Sequence, residues 1–274
     1  MDSKLVTRAS TGLVFVAVMI GVSYFKIGYF VLFSLLSIFS TLEFLKITKS
    51  LRDEREAAFF RKFYTTLINF TTFVLTALIV FYGLDAKYLL IIPALLFGLF
   101  IIELYTKAES PFTNIAINLS SFVYIGIPFA LLNFIVFHDG EYYEGILYGI
   151  LIMIWIYDAG AYLVGSKFGK TPLFKRISPN KTIEGTVGGL LILTAVGFSL
   201  SYIFEAFTAF DWAVISWIIA YFSATGDLIE SMLKRSLKIK DSGDLLPGHG
   251  GLLDRFDAFI FVIPFIALYV VVFS

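Results

Sequence analysis

Residues 231–257 gather most of the polar chemistry of this 274-residue chain. Lys234, Arg235, Lys238 and Lys240 concentrate positive charge there, and Pro247-Gly248-His249-Gly250-Gly251 is a backbone-permissive turn able to wrap a polyphosphate. Beyond the turn, Asp254 and Asp257 stand at i and i+3, so on a helix they share a face. The dipole at a helix start also favours acids, which accounts for either one alone. Asp227 stands seven residues before Lys234. Carboxylates, bases and a glycine turn at one place suit Mg²⁺, which takes oxygen ligands from one or two carboxylates together with substrate phosphates. Zinc is disfavoured: the chain has no cysteine and only two histidines.

A second polar stretch precedes this one. Asp158 lies eight residues before Ser166 in an otherwise apolar run, and Asp227 and Glu230 lie in another. An ionised acid costs about 3 kcal/mol or more at the centre of a membrane helix, so such residues usually face a cavity or a partner. Between them, residues 166–183 are polar and basic. Gly169-Lys170-Thr171 has the look of a P-loop ending, but position 164 is Val, and no strand precedes it. Ser178-Pro179 reads as an N-cap and first-turn pair opening a helix. On that reading Lys181, Thr182 and the free amides of the helix start can hold a phosphate. Gly185, Gly188 and Gly189 then permit the close approach of a neighbouring helix.

The elements that must position these groups are membrane helices. The chain is 58% hydrophobic and 15% charged, with a mean hydropathy of +0.87. Nine apolar segments approach the roughly 20 residues that a bilayer requires: 9–25, 27–45, 62–82, 86–105, 112–137, 142–165, 184–206, 211–232 and 255–273. The expected fold is therefore all-α and integral to the membrane, with the N-terminus cytoplasmic. With that orientation 19 of the 21 Lys and Arg residues fall in cytoplasmic segments, leaving only Lys26 and Lys87 outside. His138 falls on the opposite side. The mixed-charge segment 46–62 reads as a solvated connector beside lipid headgroups. Spans one to four make an N-terminal region (1–105), span five a middle region (106–141) and spans six to nine a catalytic region (142–274). Net charge is zero, which gives no field toward nucleic acid.

The run Ser231, Leu233, Lys234, Arg235, Lys240, Asp241, Gly243, Leu246, Pro247, His249, Gly250, Gly251, Leu252, Asp254, Arg255, Phe256 and Asp257 resembles the signature of the phosphatidate cytidylyltransferases. The stretch from Asp158 to Tyr162, and from Ser178 to Gly185, is similar to the same family. Asn180 departs from it, standing where Lys is usual. The motifs cover about 55 residues. The many-span topology extends the likeness over the chain with much lower specificity.

The resemblance implies transfer of a cytidylyl group from CTP to phosphatidic acid, giving CDP-diacylglycerol and pyrophosphate, with Mg²⁺ and room for a second metal ion. It assigns metal binding to Asp227 and Asp254, with Asp257 a further candidate. Lys234, Arg235, Lys240, His249 and Arg255 are expected at the phosphates. Ser178, Asn180, Lys181, Thr182, Glu184, Gly250 and Gly251 are expected on the nucleotide side, and Asp158 either touches substrate or holds a lysine. It also allows a homodimer, and in a prokaryote it places the chain in the cell membrane with its site facing the cytoplasm. Two other readings stand beside it: a CTP-dependent polyprenol or lipid kinase, and an ion-coupled transporter using the intramembrane acids.

Overall fold

A computed structural model describes residues 3–52, 58–138, 140–243 and 250–273, with side chains from Ser10 onward and without that of His138. Ten α-helices account for most of it: α1 (Ser3–Ser23), α2 (Lys26–Ile47), α3 (Ala58–Tyr82), α4 (Ile91–Leu104), α5 (Pro111–Ser121), α6 (Ile127–Val136), α7 (Glu144–Phe168), α8 (Ile183–Leu200), α9 (Ala209–Ser236) and α10 (Leu253–Phe273). Eight helical stretches are long and apolar enough to cross a membrane, and Ser10–Ser23 of α1 is a shorter apolar helix. The protein is an all-α, multi-pass membrane protein, and its helices correspond to the nine apolar segments of the sequence. The fifth span is α5 and α6 joined by a π-helical turn, Phe122–Gly126. Pro128, two residues past that turn, has no N–H to donate to it, and a widened turn absorbs the missing bond.

Among the described residues the strands form two short antiparallel hairpins. One joins β1 (Phe137–His138) to β2 (Glu141–Tyr142), and the other joins β3 (Pro172–Phe174) to β4 (Ser178–Thr182). The second hairpin corrects one sequence expectation. Ser178-Pro179 does not open a helix; both residues belong to β4. The helix starts later, at Ile183, and its cap is Thr182, whose hydroxyl accepts from the Gly185 amide at 3.1 Å. Pro179 tolerates this because an edge strand in a two-stranded hairpin can spare one ladder donor.

Polar side chains tie the first helices together where apolar contact alone supplies little drive in lipid. Asn69 of α3 donates to Thr41 of α2 at 2.8 Å, Asn133 of α6 donates to Thr76 of α3 at 2.8 Å, and Tyr29 of α2 donates to Asn133 at 3.0 Å. Arg61 does not lie in a solvated connector, as the sequence reading had it. It is buried in the first turn of α3 against Glu103 of α4, at 3.1 Å. Asn114 of α5 also donates to Glu103.

The later helices pack in series, α7 along α8, α8 along α9 and α9 along α10, with α10 resting on α6. The α7–α8 contact is close because glycines face it: a Cβ at Gly185 would come within 2.7 Å of the Ala161 carbonyl. The α9–α10 contact is close for a similar reason at Gly226, where a Cβ would lie 2.8 Å from the Phe261 Cβ and 3.0 Å from the Asp257 carbonyl. Phe222 and Phe265 stack flat across the same seam, 3.4 Å between ring centres.

Candidate active site

The close α9–α10 crossing beside Gly226 brings Asp227 of α9 against Asp257 of α10. One turn further along α9, Glu230 is 3% exposed. Lys234 follows at i+4 and holds Glu230 at 2.5 Å and Asp254 at 2.6 Å. From the other side, the β3–β4 hairpin delivers Lys181, whose ammonium pairs with Asp227. Asp158 of α7 faces Asp227 and Lys181. These groups line one cleft of about 950 Å³. Its wall continues into apolar helix surface: Phe15 and Val16 of α1, Ile154 and Trp155 of α7, Ala224 of α9 and Ala258 of α10.

The expected site residues divide into those the fold gathers and those it leaves apart. Asp158, Asn180, Lys181, Thr182, Asp227, Lys234, Asp254, Arg255 and Asp257 all line the cleft. Arg235 and Lys240 are exposed, at the end of α9 and just after it, outside the cleft lining. Ser178 and Glu184 are outside it too. Glu184 accepts from the Lys170 amide at 3.0 Å and the Thr171 amide at 3.1 Å, which fastens the hairpin to the start of α8. Thr182 caps α8 by accepting from the Gly185 amide, and the Ile183 amide donates to the Thr171 carbonyl, so two amides of the helix start are already engaged. His249, with the rest of 244–249, lies outside the described residues.

Gly250 and Gly251 shape the site through backbone. Gly250 has φ +83°, a left-handed conformation that favours glycine, and a Cβ there would lie 2.8 Å from Asp254 Oδ2. The Gly251 amide donates to that same oxygen at 3.0 Å and the Ser242 amide at 2.8 Å, with the Ser242 hydroxyl oxygen 3.0 Å away. Asp254 Oδ1 accepts from Lys234. Both oxygens of Asp254 are therefore engaged, and the carboxylate that meets Asp227 across the α9–α10 seam is Asp257.

Two features bear on whether the cleft suits a divalent metal. Five carboxylates (Asp158, Asp227, Glu230, Asp254, Asp257) face three cations (Lys181, Lys234, Arg255), which leaves negative charge in excess before any anionic substrate arrives. Glu230 Oε1 is buried with no hydrogen-bond partner among the described residues. A buried, unpaired carboxylate oxygen beside surplus acid is a place where a hard cation is favoured. The donors are all oxygen, the ligand type that Mg²⁺ takes, but among the described residues no three of the acids stand together as a metal-binding group. Glu230 was visible in the sequence as an intramembrane acid but was not assigned a role. Its i+4 spacing to Lys234 is the signal that could have placed it.

The model of the cytidylyltransferase family matches residues 6–273. The chain belongs to the cytidylyltransferase family. Its curated relatives within that family include a Staphylococcus aureus (strain COL) protein named phosphatidate cytidylyltransferase, 44% identical over 170 residues, which are 60% of this chain and 64% of that protein. The protein of the same name from Bacillus subtilis (strain 168) is 44% identical over 124 residues, 45% of this chain and 46% of its own length. The chain thus matches less than two thirds of the length of these relatives. Within the family member described here, the acids, the hairpin lysine and the α9–α10 lysine form one cleft.

Proposed function

We propose that the chain is a phosphatidate cytidylyltransferase, transferring the cytidylyl group of CTP to phosphatidic acid and releasing pyrophosphate. The observation that carries this reading is the composition of the cleft wall: carboxylates and lysines at one part, apolar helix surface at the next. That combination suits a reaction between a polyphosphate and a lipid phosphate whose acyl chains stay in the bilayer. Both reactants are anions, so the barrier is dominated by repulsion and by charge on the leaving group.

On this reading Lys181, Lys234 and Arg255 meet the phosphates. Lys181 exchanges its contact with Asp227 for one with CTP. The lipid phosphate oxygen is the nucleophile, so no side chain needs to form a covalent intermediate. Asp227 and Asp257 would hold Mg²⁺, with the unpaired oxygen of Glu230 near them. Asp254 acts through the groups it holds, Lys234 and the Gly251 amide. When bound, Mg²⁺ supplies positive charge to the α-phosphate and to the departing pyrophosphate. Asn180 and Thr182 contribute polar groups to the nucleotide side. The excess of Lys and Arg in the segments that close this end of the bundle supports a cytoplasmic site, on the side where CTP is found.

The test is turnover by the purified protein in detergent with phosphatidic acid, CTP and Mg²⁺. CDP-diacylglycerol and pyrophosphate are expected, both lost on chelation and in Asp257→Asn. Appearance of CDP with a phosphorylated lipid alcohol would replace this reading with a kinase. Absence of CTP turnover with any lipid would remove it.

A further inference from the structure

Glu43 lies in the last turns of α2, far in sequence from every motif considered above, and is 8% exposed. Its carboxylate reaches across to the chain on both sides of residues 244–249. Oε2 accepts from the Leu252 amide at 2.8 Å, and Oε1 accepts from the Ser242 hydroxyl. The two stems are pinched together at that point: a Cβ on Gly243 would lie 3.1 Å from Glu43 Oε1, and 3.5 Å from the Gly251 Cα. A side chain on Gly251 would overlap both Glu43 and Ser242, so the carboxylate occupies the space that this glycine leaves.

Ser242 is the hinge between this contact and the cleft. Its amide and hydroxyl both face Asp254 Oδ2, while Asp254 Oδ1 holds Lys234. An unbroken chain of polar contacts therefore runs from Glu43 through Ser242 and Asp254 to Lys234. From this we infer that Glu43 is a positioning residue for the reaction, fixing the stems of the α9–α10 connection and, through Ser242, the Asp254–Lys234 pair. The inference rests on the cytidylyltransferase reading for its effect on turnover, but not for its effect on the stems. It gives α2 a part in the site that the sequence motifs of the later helices do not contain.

A buried acid with a purely structural role would lower stability and activity together, so the test uses readouts that separate the two. In Glu43→Gln one acceptor oxygen remains, and kcat is expected to fall about tenfold with little change in the KM for CTP, as for a group that places others rather than touching substrate. Ser242→Ala should cost a similar factor. The double variant should cost no more than the larger single loss, because both substitutions break one chain of contacts. Backbone amide exchange across 237–243 and 250–256 should quicken in Glu43→Gln, while exchange in α3 and α4 stays as in the wild type. A wild-type kcat in Glu43→Gln, multiplicative losses in the double variant, or unchanged exchange at 250–256 would each overturn the inference. Ser242→Ala alone carries the kcat and exchange tests if neither Glu43 variant folds. Should the wild type fail to turn over CTP with phosphatidic acid, the function is refuted, and the exchange experiment still decides whether Glu43 holds the stems.

Discussion

Lys234 of α9 reaches Asp254 of α10 at 2.6 Å while also holding Glu230, one turn back on its own helix, at 2.5 Å. One cation thus joins two carboxylates across the seam between two membrane helices, with little of any of the three side chains exposed. Removing one partner of such a group leaves the others buried without compensation.

Lys234→Met should therefore lose stability as well as turnover. The expected loss is about 3–5 kcal/mol, read as a lower thermal midpoint in detergent, with CTP turnover abolished. A variant with the wild-type midpoint would show that the three groups are not tightly coupled.

Asp257→Asn keeps the shape of the side chain and removes the charge that faces Asp227. Turnover should fall about 100-fold or more, as when an electrostatic group at a reacting phosphate is lost. The Mg²⁺ concentration needed for half-maximal rate should rise in parallel. Titrating Mg²⁺ against rate in both proteins checks this, and an unchanged Mg²⁺ dependence would remove Asp257 from the metal site.

Lys181→Ala should act on CTP rather than on the fold. The residue sits on a hairpin, about one third exposed, and pairs with Asp227. Loss of a charge-assisted hydrogen bond to a phosphate raises KM for CTP by roughly tenfold to 100-fold. Initial rates over a CTP series measure it, with the thermal midpoint as control.

Gly226→Leu tests the close α9–α10 approach. Even a Cβ there lies 2.8 Å from the Phe261 Cβ, so the helices must part. Overpacking of this kind costs about 1–3 kcal/mol. Turnover should fall further than stability alone accounts for, because Asp227 and Asp257 separate. Measuring kcat well below the midpoint of the variant isolates that part.

Glu103→Ala provides the contrast. Glu103 pairs with buried Arg61 away from the cleft lining. The variant should lose about 3–5 kcal/mol and keep its KM for CTP once folded. A large rise in KM would connect the α3–α4 pair to the site.

The sequence by itself determined the membrane class, the spans and most of the charged groups of the cleft. Apolar runs near 20 residues have few alternatives in lipid, where backbone groups must bond within the segment, so α2, α3 and α7–α10 follow from hydropathy. Asp158, Asp227, Asp254, Asp257, Lys181 and Lys234 were legible because an intramembrane acid or a dense basic and glycine run is costly unless it is used. Tertiary structure alone decided which acids meet. Hydropathy fixes a residue's depth in a span but not the face it turns to a neighbour. The Asp227–Asp257 contact therefore depends on the Gly226 crossing, and the engagement of both Asp254 oxygens depends on how the stems fold back. The β3–β4 hairpin escaped because its strands are too short for a period of two to show, and Ser178-Pro179 imitates a helix start. Glu43 and Glu103 escaped because each sits near a charged connector, where an acid costs little and draws no notice. Only packing showed that both are buried, each with a partner from a distant part of the chain.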